Sequence, residues 1–388
     1  MNSDAAIRRP SYTLWQLLAY FLRLGTLGFG GPVALVGYMH RDLVEQRGWI
    51  GEADYKEGLA LAQIAPGPLA AQLAMYLGYV DHRALGATLT GLAFVLPSFF
   101  MVVALGWAYQ LYGGLGWVQA VFYGVGAAVI GIMAIGAHKL ATKNIGRDKL
   151  LWGIFALLAT VTIATQSEIA MLFIGCGVLV WLVRCKPHFG QGTVTSLWPV
   201  GVVGAAFAGE SNLLIQIGLF FTKAGAFVFG SGLAIVPFLY SGIVTDHHWL
   251  NDKQFVDAVA VAMITPGPVV ITTGFIGYLI AGFPGACVAS AATFVPCYLI
   301  TVLAAPHFKK YGKRPALIAF VHGITAAAIG AIAGSVLVLA MRSITDLITA
   351  ALAIGTAALL WRFKKLPEPL IVLGAALIGL AVYPLLNH

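Results

Sequence analysis

Arg23 and Lys223 are the residues whose type and position most suggest chemistry, because each lies about ten residues inside a long apolar stretch. A basic side chain near the middle of a membrane is costly unless it is paired or hydrated. No carboxylate lies at comparable depth in any apolar stretch, so an internal ion pair is not expected. Arginine chelates oxyanion oxygens and lysine acts as a point charge, so the pair predicts a site for a divalent anion. The alternative is that both side chains extend to the membrane surface.

The tripeptide Pro-Gly-Pro occurs twice, as Pro66, Gly67 and Pro68 and again as Pro266, Gly267 and Pro268. Proline lacks a backbone N–H and disfavours helix at the preceding residue, so a helix must break at each copy. The first break lies about 14 Å along its apolar stretch, at 1.5 Å per residue, which is close to the bilayer centre. The next helix offers free N–H groups at residues 69–71 or 269–271, which favour an anion. The alternative is a kink that only serves packing.

A glycine-rich segment also interrupts the stretch that carries Arg23, and a related segment follows Lys223. The first contains Gly30, Gly31 and Pro32, and the second contains Gly230 and Ser231. Glycine permits backbone angles that other residues avoid, so we expect a second discontinuous helix at each segment. Polar side chains near the breaks would donate hydrogen bonds to an oxyanion or, alternatively, bond between helices: Gln63, Gln72, Ser231, Thr272 and Thr273.

The elements that position these residues are apolar helices. Of the 388 residues, 60% are hydrophobic and 10% are charged, whereas soluble domains carry about 25% charged residues. This composition excludes a water-soluble fold and predicts an all-α polytopic membrane protein in the lipid bilayer. The net charge of +8 is distributed over short loops, which indicates topology rather than nucleic-acid binding. The four cysteines form no C-x-x-C pair, so we expect neither a metal site nor a cofactor.

The sequence contains a tandem repeat. An offset of 200 residues aligns Arg23 with Lys223, the two Pro-Gly-Pro tripeptides, and Glu57 with Asp257, and an offset of 199 continues the match beyond residue 78. We predict a first repeat at 10–187, a linker at 188–211 and a second repeat at 212–388. Glu57 and Asp257 each start the second apolar stretch of a repeat, where a carboxylate stabilises a helix N-terminus. A gate or proton relay is the alternative.

The distribution of basic residues predicts inverted repeats. The apolar stretches lie near 14–38, 57–80, 84–110, 116–138, 150–166 and 168–184, and near 213–240, 255–281, 284–305, 317–341, 343–360 and 368–386. Basic loops follow the fourth and sixth stretches of the first repeat but the third and fifth of the second, so equivalent loops face opposite sides. This requires the short stretch Ser196–Ala208 to cross, which gives thirteen spans with a cytoplasmic N-terminus, or twelve if it does not. The loop 41–56 would then lie outside. Inverted repeats with broken helices are typical of secondary transporters.

These motifs resemble those of a known family, the chromate ion transporters, in its long two-domain form. The resemblance rests on residues 29–32, 62–68 and the region of Tyr79, with their second-half counterparts, and covers essentially the whole chain. It implies efflux of chromate from the bacterial cytoplasm across the inner membrane, competition by sulfate and energy from ion gradients. It also implies that function resides in Pro66, Gly67, Pro68, Gly30, Gly31 and Pro32. Met263 replaces Gln63 in the second half, so the halves are expected to bind the anion unequally.

The residues predict a secondary active transporter, not an enzyme, that binds a divalent oxyanion between its two repeats, and the resemblance implies that this anion is chromate. A sulfate or other oxyanion exchanger, or a passive anion channel, remains the alternative. An intramembrane enzyme would place His, Asp or Glu deep in its spans, and this sequence does not. A second copy of the chain, as a homodimer, is retained as a candidate partner.

Overall fold

The structure is a computed structural model that describes residues 12–29, 31–165, 170–185, 212–226, 228, 235–311, 314–363, 366 and 368–386. Within these ranges the chain forms α-helices joined by short turns and no strand, as the sequence predicts. The helices are α1 (Leu14–Leu27), α2 (Gly31–Met39), α3 (Glu52–Ile64), α4 (Leu69–Tyr112), α5 (Gly116–Ile145), α6 (Lys149–Thr165), α7 (Ala170–Cys185), α8 (Leu213–Ala226), α9 (Ile235–Tyr240), α10 (Asp252–Ile264), α11 (Thr272–Tyr311), α12 (Pro315–Ser343), α13 (Leu347–Arg362) and α14 (Glu368–Leu386). The predicted span Ser196–Ala208, with Gly30, Gly230 and Ser231, lies outside the described residues.

The first predicted span folds back on itself instead of crossing. Helix α1 ends at Leu27, and α2 continues as a π-helical turn over His40–Gln46. The rings of Tyr12 and Trp49 stack with centroids 5.2 Å apart, although they lie at the far ends of the two helices. The Tyr20 hydroxyl lies 3.4 Å from the Asp42 carboxylate. Helices α1 and α2 therefore form a hairpin whose tip is the glycine-rich segment.

The second predicted span is also a hairpin, with Pro-Gly-Pro at its tip. Gly58 and Tyr76 each lie nine residues from Gly67, and a Cβ on Gly58 would overlap the Tyr76 ring. Helix α3 therefore lies beside the first part of α4. The chain reverses again at Arg83, whose φ of 52° breaks α4 into residues 69–82 and 84–112. These two parts are in close contact at Gly78 and Gly86, because small residues let helix backbones approach closely.

The second repeat has the same two hairpins. Phe220 of α8 contacts Trp249, with ring centroids 5.8 Å apart. This contact matches the first repeat, where the equivalent residue, Tyr20 of α1, lies beside Asp42 after α2. Helix α11 breaks at Ala281 and Gly282 into residues 272–280 and 283–311. Its two parts meet through Gly277 and Gly285, which are the repeat equivalents of Gly78 and Gly86.

The hairpins of the two repeats start at opposite ends of the helix bundle. Those of the first repeat start where Tyr12 bonds Asp81, 2.5 Å away. Those of the second start where Asp257 accepts a hydrogen bond from Tyr109, near the other end of α4. We call the end that holds Tyr12 the basic end, because most of the described Lys and Arg side chains gather there, including Arg47, Arg83, Arg147, Arg184, Arg314 and Arg362. At the opposite end the described basic side chains are Lys253 and Arg342.

The hairpins change the predicted topology. The loop 41–56 lies at the basic end, not on the far side, so its basic residues agree with the charge pattern of the other loops. In the described residues each repeat runs between the two ends four times, through residues 84–112, α5, α6 and α7 and through residues 283–311, α12, α13 and α14. Four crossings, like the six that were predicted, return the chain to the side from which it started. Inverted repeats therefore still require the linker to cross the membrane, and that crossing stays a prediction.

Helices α5–α7 and α12–α14, which follow the hairpins, pack closely against one another at glycines. Helix α12 packs against α6 and α7, and α5 packs against α13 and α14. An added Cβ would overlap a backbone carbonyl of the neighbouring helix at each contact: at Gly323 the carbonyl of Cys176, at Gly330 that of Phe155, at Gly131 that of Ala353 and at Gly124 that of Ala375. By length and composition five described helices could cross a membrane: Leu69–Tyr112, Gly116–Ile145, Val269–Phe308, Pro315–Ser343 and Glu368–Leu385.

We expect Ala53→Cys and Asn144→Cys to react with a membrane-impermeant thiol reagent from the same side, and Gly114→Cys from the other. Residues 53 and 144 are exposed at the basic end and residue 114 is exposed at the opposite end. Labelling of intact cells and of inverted vesicles, in a background with Cys185→Ser, measures the side. The hairpin arrangement is wrong if position 53 reacts together with position 114.

Candidate functional site

The tips of the hairpins meet across the two repeats. The backbone N–H of Gly67 donates to the carbonyl of Val228, 2.5 Å away, and the N–H of Gly267 donates to the carbonyl of Gly28, 2.9 Å away. The offset of 200 residues relates these two bonds to each other, so each Pro-Gly-Pro tip bonds the glycine-rich tip of the other repeat. This reciprocity is what two-fold related units produce. The broken backbones that the sequence predicted therefore meet at one place, where the two repeats join.

Each Pro-Gly-Pro tip is also seated on a long helix of the other repeat. A Cβ on Gly67 would overlap Cys297, and a Cβ on Gly267 would overlap the Ser98 hydroxyl. Ser98 and Cys297 are repeat equivalents, and each lies fourteen residues from either end of its helix, 84–112 or 283–311. Gly67 has φ of 141° and Gly267 has φ of 97°, which strain any residue with a side chain. Glycine is therefore required at both tips by space and by backbone angle.

A cavity of about 570 Å³ opens between α1 and α2, from the basic end to the first tip. We call it the arginine cleft, and its lining residues are Tyr20, Arg23, Leu24, Leu27, Gly28, Phe29, Tyr38, Arg41, Asp42, Gln46 and Arg47. Three guanidinium groups and one carboxylate give it an excess of positive charge. Gly28, which lines the cleft near the tip of the hairpin, accepts the hydrogen bond from Gly267.

The three arginines of the cleft differ in their partners. Arg41 is paired with Asp42, with Nε 2.8 Å from Oδ1. The Arg47 guanidinium lies 4.5 Å from the centroid of the Trp49 ring and 5.4 Å from that of Tyr20, an arrangement that holds a cation without neutralising it. Within the described residues neither Arg23 nor Arg47 has a carboxylate partner. Two guanidiniums thus remain available to an anion.

Among the described residues, an aromatic plug of Phe220, Phe238, His247 and Trp249 occupies the equivalent space in the second repeat. Phe220 stacks on Phe238 with centroids 5.4 Å apart, and His247 stacks on Trp249 at 4.2 Å. Gly242 stands at the position of Asp42, and a Cβ there would overlap the Phe220 ring. His247 replaces Arg47. In the part of the chain that the structure describes, the two repeats therefore present different surfaces, one open and cationic and the other aromatic.

The predicted site residues are only partly brought together. Arg23 is exposed and lines the cleft, whereas Lys223 is exposed on α8 and does not line it. Gly31 and Pro32 begin α2 and are half-buried, Gln63 is exposed at the end of α3, and Pro66 is half-buried. Gly67, Pro68, Pro266, Gly267, Pro268 and Thr272 are buried. The Thr272 hydroxyl donates to the Val269 carbonyl, 2.7 Å away, so it is bonded within its own helix.

Gln72 lies directly beneath the first Pro-Gly-Pro tip. It is 1% exposed, and its Nε2 donates to the Pro66 carbonyl, 2.7 Å away. Its Oε1 is buried with no hydrogen-bond partner among the described residues. Gln72 therefore fixes the broken end of α3 while keeping one acceptor unused.

Of the three arginines that line the cleft, the sequence predicted Arg23 as a site residue but not Arg41 or Arg47. Both follow the first apolar stretch, so the predicted crossing assigned them to a loop on the far side. Among the described residues, no group of three or more His, Cys, Asp or Glu side chains could hold a metal ion. A further cavity of about 380 Å³, between α4 and α11, is lined almost wholly by apolar atoms and offers no charge to an anion.

Comparison with known proteins gives a consistent result. The family model described as "Chromate transporter" matches residues 15–181 and again residues 215–380. The chromate transport protein of Cupriavidus metallidurans is 70% identical over 383 residues, which covers 98% of this chain and 96% of that protein. The probable chromate transport protein of Synechococcus elongatus is 61% identical, covering 97% and 98%, and the chromate transport protein of Pseudomonas aeruginosa is 29% identical, covering 97% and 94%. No solved structure matches the chain.

Proposed function

The chain belongs to the chromate transporter family, and from that premise we propose that it is a secondary active transporter that exports chromate from the bacterial cytoplasm by alternating access. Membership places it among transport proteins rather than enzymes, and its apolar helices make it a multi-pass membrane protein. Energy would come from an ion gradient or from exchange for sulfate, which has the same charge and tetrahedral shape as chromate.

The arginine cleft is the observation that carries this proposal. A doubly negative oxyanion needs cationic groups that are not already neutralised, and the guanidiniums of Arg23 and Arg47 meet that condition. The cleft also ends at Gly28, where the first repeat bonds the Pro-Gly-Pro tip of the second. An anion held there would contact the junction whose rearrangement opens and closes the path. After the break, the N–H groups at residues 69–71 would bind the anion once the tips separate.

The charge distribution supports export as the direction of transport. Basic loops face the cytoplasm in membrane proteins, so the basic end, and with it the open cleft, would face the cytoplasm. The aromatic plug would then close the outer side. The described arrangement corresponds to a state that accepts the anion from inside.

Arg23 and Lys223 would serve the two sides in turn. They are repeat equivalents, and one lines an open cleft while the other lies beside a closed one. If the two repeats exchange conformations through their pseudo-two-fold relation, the first cleft closes, the plug opens and Lys223 replaces Arg23 as the basic group that faces the anion. A lysine binds more loosely than a chelating arginine, which favours release outside.

The test is uptake of labelled chromate into inverted membrane vesicles that contain the protein, with and without an imposed proton gradient. A carrier driven by the proton gradient accumulates chromate only when that gradient is imposed, and a sulfate exchanger only when the vesicles are loaded with sulfate. Either carrier saturates and is inhibited by excess external sulfate but not by a monovalent anion such as nitrate. Gradient-independent flux without saturation would indicate a channel. No chromate uptake above that of vesicles lacking the protein would refute the proposal.

A further inference from the structure

Asp257 is a buried carboxylate at the contact between the two repeats. It is 2% exposed and accepts a hydrogen bond from the Tyr109 hydroxyl, 2.7 Å away. Asp257 belongs to the second repeat and Tyr109 to the first. Phe122 and Phe275 pack edge-on against the Tyr109 ring, with centroids 5.4 and 5.7 Å away. A buried carboxylate with one neutral donor and apolar neighbours is poorly stabilised as an anion.

A cavity of about 290 Å³ connects Asp257 with the opposite end of the bundle. The charged and titratable groups that line it with Asp257 are Asp252 and Lys253 of α10, Tyr123 of α5, Arg342 of α12 and Tyr383 of α14. Arg342 is bonded to Asp252, 3.1 Å away, and Lys253 is exposed one turn before Asp257. No ion pair to Asp257 occurs among the described residues. The cavity gives protons from the opposite end access to this carboxylate.

Asp346 is a carboxylate at the same end of the bundle whose role is structural, and its environment differs from that of Asp257. It caps α13, and the N–H groups of Ile348 and Thr349 donate to its Oδ1 at 2.9 and 2.8 Å. Burial raises the pKa of Asp346, but the hydrogen bonds from these N–H groups and from the Tyr123 hydroxyl lower it more. The pKa of Asp346 therefore lies below its ordinary value. Asp346 therefore stays ionised, whereas no backbone N–H is bonded to the Asp257 side chain among the described residues.

The repeat equivalent of Asp257 does not make the same contact. Glu57 is half-buried and bonds Tyr76 of its own hairpin. The residue equivalent to Tyr109 is Phe308, which has no hydroxyl. The bond from a tyrosine of one repeat to this hairpin carboxylate of the other is therefore possible at Asp257 and not at Glu57. A coupling group that is reached from one end of the bundle requires such an asymmetry.

We propose that Asp257 is the proton-binding group that couples the proton gradient to anion movement, with Tyr109 as the positioning residue that senses its charge. This inference rests on the proposed transport of chromate. The ionised carboxylate accepts the Tyr109 hydrogen bond and holds α10 against α4. A proton that enters from the opposite end binds to the carboxylate, weakens this bond and lets the repeats rearrange, and it is released at the basic end as the carboxylate ionises again. One proton enters the cell for each cycle that carries an anion out.

The experiment compares wild type, Asp257→Asn and the repeat-matched control Glu57→Gln in inverted vesicles. A gradient of one pH unit supports up to about tenfold accumulation per coupled proton. We expect Asp257→Asn to lose this accumulation but to retain exchange of labelled for unlabelled chromate at equal pH, which needs no net proton movement. Glu57→Gln should keep both.

Further variants separate a proton site from a structural role. Asp257→Glu should restore gradient-driven accumulation with a shifted pH profile, and Tyr109→Phe should shift the profile without abolishing exchange. The proposal is overturned if Asp257→Asn accumulates chromate as wild type does, or if it reaches the membrane but loses exchange as well. It is equally overturned if Asp257→Glu and Tyr109→Phe both keep the wild-type pH profile. Absence of chromate uptake by wild type would instead refute the transport function itself.

Discussion

Gly267→Ala should abolish chromate transport, because no side chain fits between the second Pro-Gly-Pro tip and the first repeat. The added Cβ would overlap the Ser98 hydroxyl and lie 3.3 Å from the Gly25 carbonyl. Overpacking of this kind costs about 1–3 kcal/mol, and a φ of 97° on a residue with a side chain costs roughly 1–2 kcal/mol more. The tip would then be displaced, and its bond to Gly28 lost.

Transport rate and protein level in the membrane should be measured together for this variant. Gly37→Ala is the matched control, since an added Cβ there meets nothing within 4 Å, and it should transport as wild type does. Ser98→Ala removes the overlapping hydroxyl and leaves its Cβ 3.1 Å from the new methyl, so the double variant should regain part of the activity. Wild-type transport by Gly267→Ala alone would show that the junction of the tips has no role.

The sequence predicted where the helices break but not what the chain does after each break. The missing N–H groups of Pro66 and Pro68 end a helix in any context, so the interruption is encoded locally. Whether the next helix continues in the same direction or turns back depends on contacts between residues distant from the break. Examples are the contact of Gly58 with Tyr76 and that of Gly78 with Gly86. Two arms of about thirteen residues are each about 20 Å long, so together they resemble one crossing in length and hydrophobicity.

The repeat was recoverable from the sequence because its offset relates residues of the same type. What the offset could not show is that residue 67 bonds residue 228, and residue 267 bonds residue 28. These contacts join different repeats and different hairpins, and nothing in the local sequence relates them. The two reciprocal hydrogen bonds can be expected only once it is known that a pseudo-two-fold axis relates the two repeats.

Only part of the candidate site could be predicted from the sequence, for a similar reason. Arg23 could be predicted because it lies inside an apolar stretch, where a charged side chain is costly and therefore indicates a functional site. Arg47 follows that stretch and has the sequence context of an ordinary loop residue. It reaches the cleft only because α2 returns beside α1, which puts its guanidinium over the Tyr20 ring. Lys223 was predicted to share one site with Arg23, but only Arg23 lines the arginine cleft.

Arg23→Ala should lose most oxyanion transport at chromate concentrations that half-saturate the wild type, while leaving membrane insertion intact. Arg23 is exposed in the cleft and has no carboxylate partner in the described part of the chain, so its removal leaves no buried charge behind. A hydrogen bond to a charged group contributes about 1.5–3 kcal/mol, which is a loss of roughly 10- to 150-fold in apparent affinity for chromate. Arg23→Lys should keep part of the activity, because the charge remains while bidentate contact is lost.

The half-saturation concentration for chromate uptake into inverted vesicles measures this loss. Arg362→Ala is the matched control, because Arg362 is exposed at the same end but lies over Phe363, outside the cleft. Its removal changes the general positive potential of the basic end by the same single charge. If attraction by net charge were sufficient, both variants would lose affinity equally. If the cleft binds the anion, Arg23→Ala alone loses it, and the loss persists at high salt, since screening weakens distant charges more than a direct contact.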